Sequence, residues 1–122
     1  MSKRLFLNWK NLGSTHGLKE LVLVESQNDV RLVQSLGIRD VLGVGTGADI
    51  TRWHMRTIRN LTYPQADISL VFAASRRGRR FPLKVIETIG TERSLSFVPM
   101  ISREAVTRKF LEGRVSQHLF VD

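Results

Sequence analysis

An α/β fold, with an open, mostly parallel four-stranded sheet and helices on both faces, is predicted by three features of this 122-residue sequence. Apolar runs at 19–25, 39–45, 67–73 and 93–100 are continuous rather than alternating, as strands buried on both faces tend to be. Between them lie stretches with helical apolar spacing that stop at glycine or at a turn signal. Strand and helix signals alternate along the chain, which implies βαβ units in one sheet.

The elements follow in order. KELVLVE (19–25) is a Val-rich strand closing on a carboxylate, Glu25. SQNDVRLVQSLG then reads as a helix: Ser26 is a candidate N-cap, Val30, Leu32, Val33 and Leu36 lie roughly on one face, and Gly37 is the stop. RDVLGVG (39–45) is the second strand. TGADITRWHMRTIRNL (46–61) is the second helix, with Ile50, Trp53, His54, Ile58 and Leu61 spaced for a buried face and TYPQ as the turn that ends it. DISLVFA (67–73) is the third strand. RRGRRFPLKVIETIG (76–90) is the third helix, with Pro82 in its first turns and Gly90 as its cap. RSLSFVPM (93–100) and SREAVTRKFLEGR (102–114) complete the pattern. An N-terminal extension (1–18), ending in the loop-like GSTHG, and a C-terminal tail (115–122) flank the α/β domain of 19–114.

Composition narrows the function classes. The 42% apolar and 25% charged content is that of a globular protein. No apolar run approaches the roughly 20 residues of a membrane helix. Asn8 and Lys10 interrupt the N-terminal apolar stretch too early for a signal peptide, so a cytoplasmic setting without a membrane partner is expected. The absence of cysteine excludes disulfides and thiolate chemistry. Nineteen basic residues against eleven acidic ones give a net charge of +8, which favours a polyanionic partner, nucleic acid first.

In open parallel sheets ligands sit beyond the carboxyl ends of the strands. That rule selects Glu25–Asp29, Gly43–Ala48 and Ala73–Arg80. The last lies within FAASRRGRRF (72–81), where Arg76, Arg77, Arg79 and Arg80 surround one glycine. Arg52, Arg56 and Arg59 fall near one side of the second helix and extend the basic surface. His54 reads as a packed, hydrogen-bonded histidine. His16 and His118 show no metal-ligand pattern. GVGTG (43–47) lacks the spacing of a phosphate loop and reads as a tight turn. Trp9 and Trp53 are able in principle to stack on bases, although the spacing of Trp53 points to the core.

These segments together resemble the Toprim family, the domain shared by type IA and type II topoisomerases, bacterial primases and a ribonuclease that matures ribosomal RNA. The family pattern opens with a strand ending in Glu-Gly and an Asp a few residues on; LVLVESQNDV supplies Glu25, Ser26 in place of Gly, and Asp29. VLGVGTGADIT has the character of the next strand, Gly-containing loop and helix. SLVFAASRRGRR fits the frame of the strand that ends in Asp-x-Asp, with Phe72 before and Gly78 after, but the two aspartates fall on Ala73 and Ser75. The resemblance spans about residues 19 to 100. A response-regulator-like domain, the competing α/β reading, would show an acidic cluster at the first strand end and a later Thr and Lys, and neither is visible.

The resemblance implies a Glu acting as general acid or base and an Asp pair helping to hold Mg²⁺. Glu25 and Asp29 are then the candidate catalytic remnants. Ala73 offers no ligand, Ser75 only a neutral hydroxyl, and Mg²⁺ requires oxygen ligands in near-octahedral geometry. Each guanidinium beside the site opposes a cation by about 4 kcal/mol per pair of unit charges at about 4 Å and an effective dielectric near 20. The expectation is therefore a catalytically degenerate nucleic-acid-binding module with no cofactor, gripping phosphates through Arg76, Arg77, Arg79 and Arg80, with Arg52 and Arg56 beside them. Guanidinium forks bind phosphate oxygens without a metal. Glu25 is expected to pair with one of these arginines. A place in a ribonucleoprotein follows by analogy with the family's link to ribosomal RNA. The alternative is an active Mg²⁺-dependent nuclease or strand-transfer enzyme using Glu25, Asp29 and a third acid such as Asp49.

Overall fold

The computed structural model describes residues 6–45 and 50–111. Its elements are β1 (Leu18–Val24), α1 (Gln27–Ser35), β2 (Val41–Gly43), α2 (Arg52–Leu61), β3 (Thr62–Phe72), α3 (Arg80–Ile89) and β4 (Ser94–Pro99), followed by a helix α4 over 103–111. All four strands are parallel, in the order β2-β1-β3-β4. The predicted α/β architecture, with helices on both faces of the sheet, is the one observed.

The continuous apolar runs work because alternate residues of each strand enter different cores. Leu21 and Leu23 of β1, Leu42 of β2, and Ile68, Leu70 and Phe72 of β3 face α2 and α3, where Met55, Ile58, Leu61, Phe81, Val85 and Ile89 meet them. Val22, Val24, Val41, Val71 and Val98 face the other way, against Val30, Leu32 and Val33 of α1 and Val106 of α4. Thus long side chains fill one layer and short branched ones the other. Full burial of each such side chain contributes roughly 1.5–3 kcal/mol.

The chain before β1 packs on the sheet as well. Phe6 is buried in the α2/α3 core. Leu7 and Gly43 exchange backbone hydrogen bonds of 2.6 and 3.1 Å, and the Asn8 side chain donates to the Val41 carbonyl at 2.9 Å. This covers part of an otherwise open sheet edge. Trp9, in a single 3-10 turn (Trp9–Asn11), is half-buried against the same core rather than offered to bases.

Four element boundaries differ from the sequence expectation. TYPQ does not end the second helix as a separate turn, since β3 already begins at Thr62. Leu18 pairs with Thr62 and Glu20 with Asp67, so four residues of β3 oppose one of β1, and Gln65 takes a φ of 66°. The turn chemistry is real, but it forms a bulge inside a continuing strand. The second strand is regular only over Val41–Gly43, although its hydrogen bonds to β1 run from the Asp40 carbonyl to the Gly45 amide. The second helix begins at Arg52 rather than at 46; residues 46–49 lie outside the described residues. The third helix begins at Arg80, because the Ser75 hydroxyl accepts the Gly78 amide at 3.0 Å and the Ser75 carbonyl accepts that of Arg79 at 3.1 Å, closing a separate turn over 76–79. In α4, the Ser102 hydroxyl accepts from the Ala105 amide at 3.1 Å, as an N-cap does; residues 112–122, including His118, are outside the described residues.

An unforeseen structural residue is Arg93, whose side chain is only 8% exposed. Its Nε donates to Thr62 Oγ1 at 2.9 Å, and Nη2 reaches the carbonyls of Arg59 and Thr62 at 3.4 Å. It satisfies carbonyls at the C-terminal end of α2, where a cation also complements the helix dipole.

Candidate functional site

From β1 the chain crosses to β2 on one side, and from β3 it crosses to β4 on the other. The order therefore reverses between the adjacent strands β1 and β3, and the crevice at their carboxyl ends is where such sheets take ligands. Glu25 and Ser26 follow β1 at this point, and Ala73 to Arg79 follow β3.

The arginine segment is held at its base. Phe72 and Phe81, which bracket FAASRRGRRF, are both buried and stack with ring centroids 5.7 Å apart and planes 23° apart. His54 meets Phe81 edge-on at 5.9 Å and Phe6 at 5.3 Å. It is buried, and its Nδ1 accepts the Thr51 amide at 3.1 Å, which makes it a packed histidine of the core. Above this aromatic base, Gly78 is pressed onto the chain: a Cβ there would lie 2.3 Å from the Ala73 carbonyl oxygen. Ser75 caps the same turn through its hydroxyl.

Arg76, Arg77, Arg79 and Arg80 are all exposed. Among the described residues, none of the four makes a side-chain hydrogen bond, salt bridge or ring contact. The sequence placed all four at the start of a helix; Arg80 is the first residue of α3, Arg79 is its N-cap, and Arg76 and Arg77 belong to the preceding turn. The four therefore do not open one helix together: two lie in the turn that follows β3 and two at the start of α3.

The acids have other surroundings. Glu25 is half-buried just past β1, and contrary to expectation it forms no salt bridge with an arginine among the described residues. Asp29 closes a capping box at the start of α1: the Ser26 amide donates to its Oδ2 at 3.1 Å, and the Asp29 amide donates to the Ser26 hydroxyl at 3.2 Å. Ser26 thus serves as the cap of α1. Among the described residues, no three acids, histidines or cysteines gather as a metal-ligand group. Asp49, the third acid of the enzyme alternative, lies outside the described residues. The capping box predicts that Ser26→Ala lowers stability by about 1 kcal/mol, measured by urea denaturation, with no change in nucleic-acid affinity.

Arg52 and Arg56, on α2, flank Trp53 with guanidinium carbons 5.1 and 5.6 Å from its ring centroid. Trp53 is 48% exposed, which corrects its assignment to the buried face of the helix. Arg59 pairs with Glu92 at 2.9 Å and donates to the Thr88 carbonyl at 3.0 Å, so its charge is partly spent within the fold. In the GVGTG segment, Gly43 pairs with Leu7 and the Gly45 amide donates to the Glu25 carbonyl at 2.8 Å. These bonds serve the crossover out of β2, and Thr46 and Gly47 are outside the described residues.

No family model matches the chain, and no curated protein matches it. Among solved structures it is similar to a DNA primase domain from Pseudomonas aeruginosa, with a TM-score of 0.56 and 21% identity over 82% of this chain and 33% of that one. The DnaG primase catalytic domain bound to ssDNA matches with the same TM-score, 0.56, and 21% identity, over 83% of this chain and 35% of that one. The E. coli primase catalytic core also matches, at a TM-score of 0.56 and 21% identity over 83% and 34%. The fold is Toprim-like, as in primase catalytic cores. The chain spans about a third of the length of the primase structures that it matches.

Proposed function

We propose that this chain is a Toprim-fold nucleic-acid-binding module that grips the phosphate backbone through Arg76, Arg77, Arg79 and Arg80 and does not cleave it. The observation that carries this reading is the braced turn of four exposed arginines, unpaired among the described residues, at the switch point of the sheet. The backbone that carries these donors is fixed beforehand by the close approach of Gly78 to Ala73 and by the Ser75 hydroxyl, so less chain freedom is lost on contact. The start of α3 adds the positive end of a helix dipole to the same place. Ala73 and Ser75, where the family pattern has its aspartates, bring no carboxylate to hold Mg²⁺. Contacts of this kind give affinity with little sequence readout. A strongly basic module of this size suits a subunit of a larger ribonucleoprotein, where RNA supplies the polyanion.

The test is the affinity of the purified protein for a labelled RNA hairpin and a DNA duplex across a salt series, first with magnesium and then with chelator. The expected result is affinity that falls steeply with salt and is the same with and without magnesium. Binding or strand scission that requires magnesium would overturn the proposal in favour of the metal-dependent enzyme built on Glu25 and Asp29.

A further inference from the structure

A second site lies beside the arginine turn. All strands are parallel, so the helices that connect them run back antiparallel to the sheet. Helices α2 and α3 pack on the same face, and both therefore begin at the carboxyl edge of the strands. Between them runs an open groove of about 560 Å³, with Arg52, Trp53, Arg56 and Lys84 among its lining residues. Arg80 and Lys84 are one helical turn apart on α3, as Arg52 and Arg56 are on α2, so the cations of the arginine turn continue into the groove. At its other end Arg59 is neutralised by Glu92, which ends the uncompensated charge.

We infer that this α2–α3 groove binds a single-stranded segment of nucleic acid, with an unstacked base on Trp53 and its flanking phosphates on Arg52, Arg56 and Lys84. The inference rests on the proposed phosphate-binding function and names the form of nucleic acid taken at this second site. Trp53 sits in the first turn of α2, 48% exposed, with a guanidinium on either side in sequence held within 6 Å of its ring. The guanidiniums of Arg52 and Arg56 lie over this ring, so a base that stacks on it takes the place of one of them and frees that cation for a phosphate. The bases of a duplex are stacked on one another and offer no free π-face, whereas a single strand offers one at each nucleotide. A ring for the base, flanked by cations for the phosphates, is the pairing that single-strand binding requires. Charge complementarity argues against a basic peptide as the occupant.

The experiment compares a labelled oligo-dT strand with a DNA duplex of the same length, using the wild type, Trp53→Ala, Trp53→Phe and the quadruple Ala variant of the arginine turn. Circular dichroism establishes that each variant is folded. Trp53→Ala is expected to weaken single-strand binding about tenfold or more, to leave duplex binding and both salt slopes as they were, and to be largely rescued by Trp53→Phe. The quadruple variant is expected to weaken both ligands and flatten both salt dependences. If Trp53→Ala leaves the single-strand affinity unchanged while the quadruple variant still weakens both, the groove inference fails and the phosphate-binding function stands. If the wild type binds neither ligand at physiological salt, both fail together.

Discussion

Replacing Arg76, Arg77, Arg79 and Arg80 together by alanine is expected to weaken binding to duplex nucleic acid about a hundredfold at low salt and to remove most of its salt dependence. Each phosphate neutralised on B-form DNA adds about 0.9 to the slope of log affinity against log salt, so four contacts account for a slope of about 3.6. Between about 50 and 200 mM salt, that slope corresponds to roughly two decades of affinity in the wild type. The variant should show a slope lower by about this amount, measured by fluorescence anisotropy in a salt titration. Its stability should move in the opposite direction, or not at all. The four side chains are exposed and make no side-chain contact among the described residues, and they face the positive end of the α3 dipole. Their removal relieves a repulsion worth some tenths of a kcal/mol each. A variant that binds poorly because it has unfolded is therefore distinguished by its melting temperature. Unchanged affinity in a folded variant would sink the proposed function outright.

The parts of this fold visible in the sequence are those set by side-chain periodicity. LVLV, VLGV and SLVF read as strands buried on both faces, and each alternate residue is found in one of two cores. The helix cap at Ser26 was equally legible, since its Asp29 partner is three residues on. What escaped is set by contacts distant in sequence or by competing local bonds. TYPQ carries turn residues, but pairing of β3 with β1 on either side turns it into a bulge. Ser75 captures the amides of Gly78 and Arg79, and so delays the third helix to Arg80. Trp53 lies five residues before Ile58, well round the helix from it, whereas His54, four before, takes the buried place, so the Trp53 ring stays largely outside the core. Arg93 gave no signal at all, because its partners, Arg59 and Thr62, are about thirty residues away and meet it only in the folded chain. At the candidate site the positions of Glu25 and the arginines were legible from strand ends alone. The absence of an ion pair between them among the described residues was not, because pairing depends on where a turn aims its side chains.

Gly78→Ala is expected to lower stability by about 3 kcal/mol, the upper part of the range for forcing an extra methyl into a packed position. The added Cβ would lie 2.3 Å from the carbonyl oxygen, 2.9 Å from the carbonyl carbon and 2.8 Å from the Cβ of Ala73. The atoms in the way are mainly backbone at the end of β3, so no rotamer change makes room for it. Either the 76–79 turn lifts away from the strand, or the strand end moves. Lifting the turn breaks the Ser75–Gly78 hydrogen bond and pulls on Phe81, whose stack with Phe72 anchors the turn from beneath. A loss of this size should reduce the melting temperature by roughly 10 °C for a domain of this length, read by thermal circular dichroism. At temperatures where the variant remains folded, phosphate affinity should also fall, with the salt slope reduced because the turn that carries the arginines is displaced from the strand end. Ala73→Gly in the same background removes one of the three opposing atoms, the Ala73 Cβ, and should recover only a minor part of the stability. Full recovery would mean that the clash is with the side chain alone and that the backbone approach does not hold the turn. Unchanged melting in Gly78→Ala would show that the turn is loose, and the fixed presentation of the arginines, on which their grip depends, would go with it.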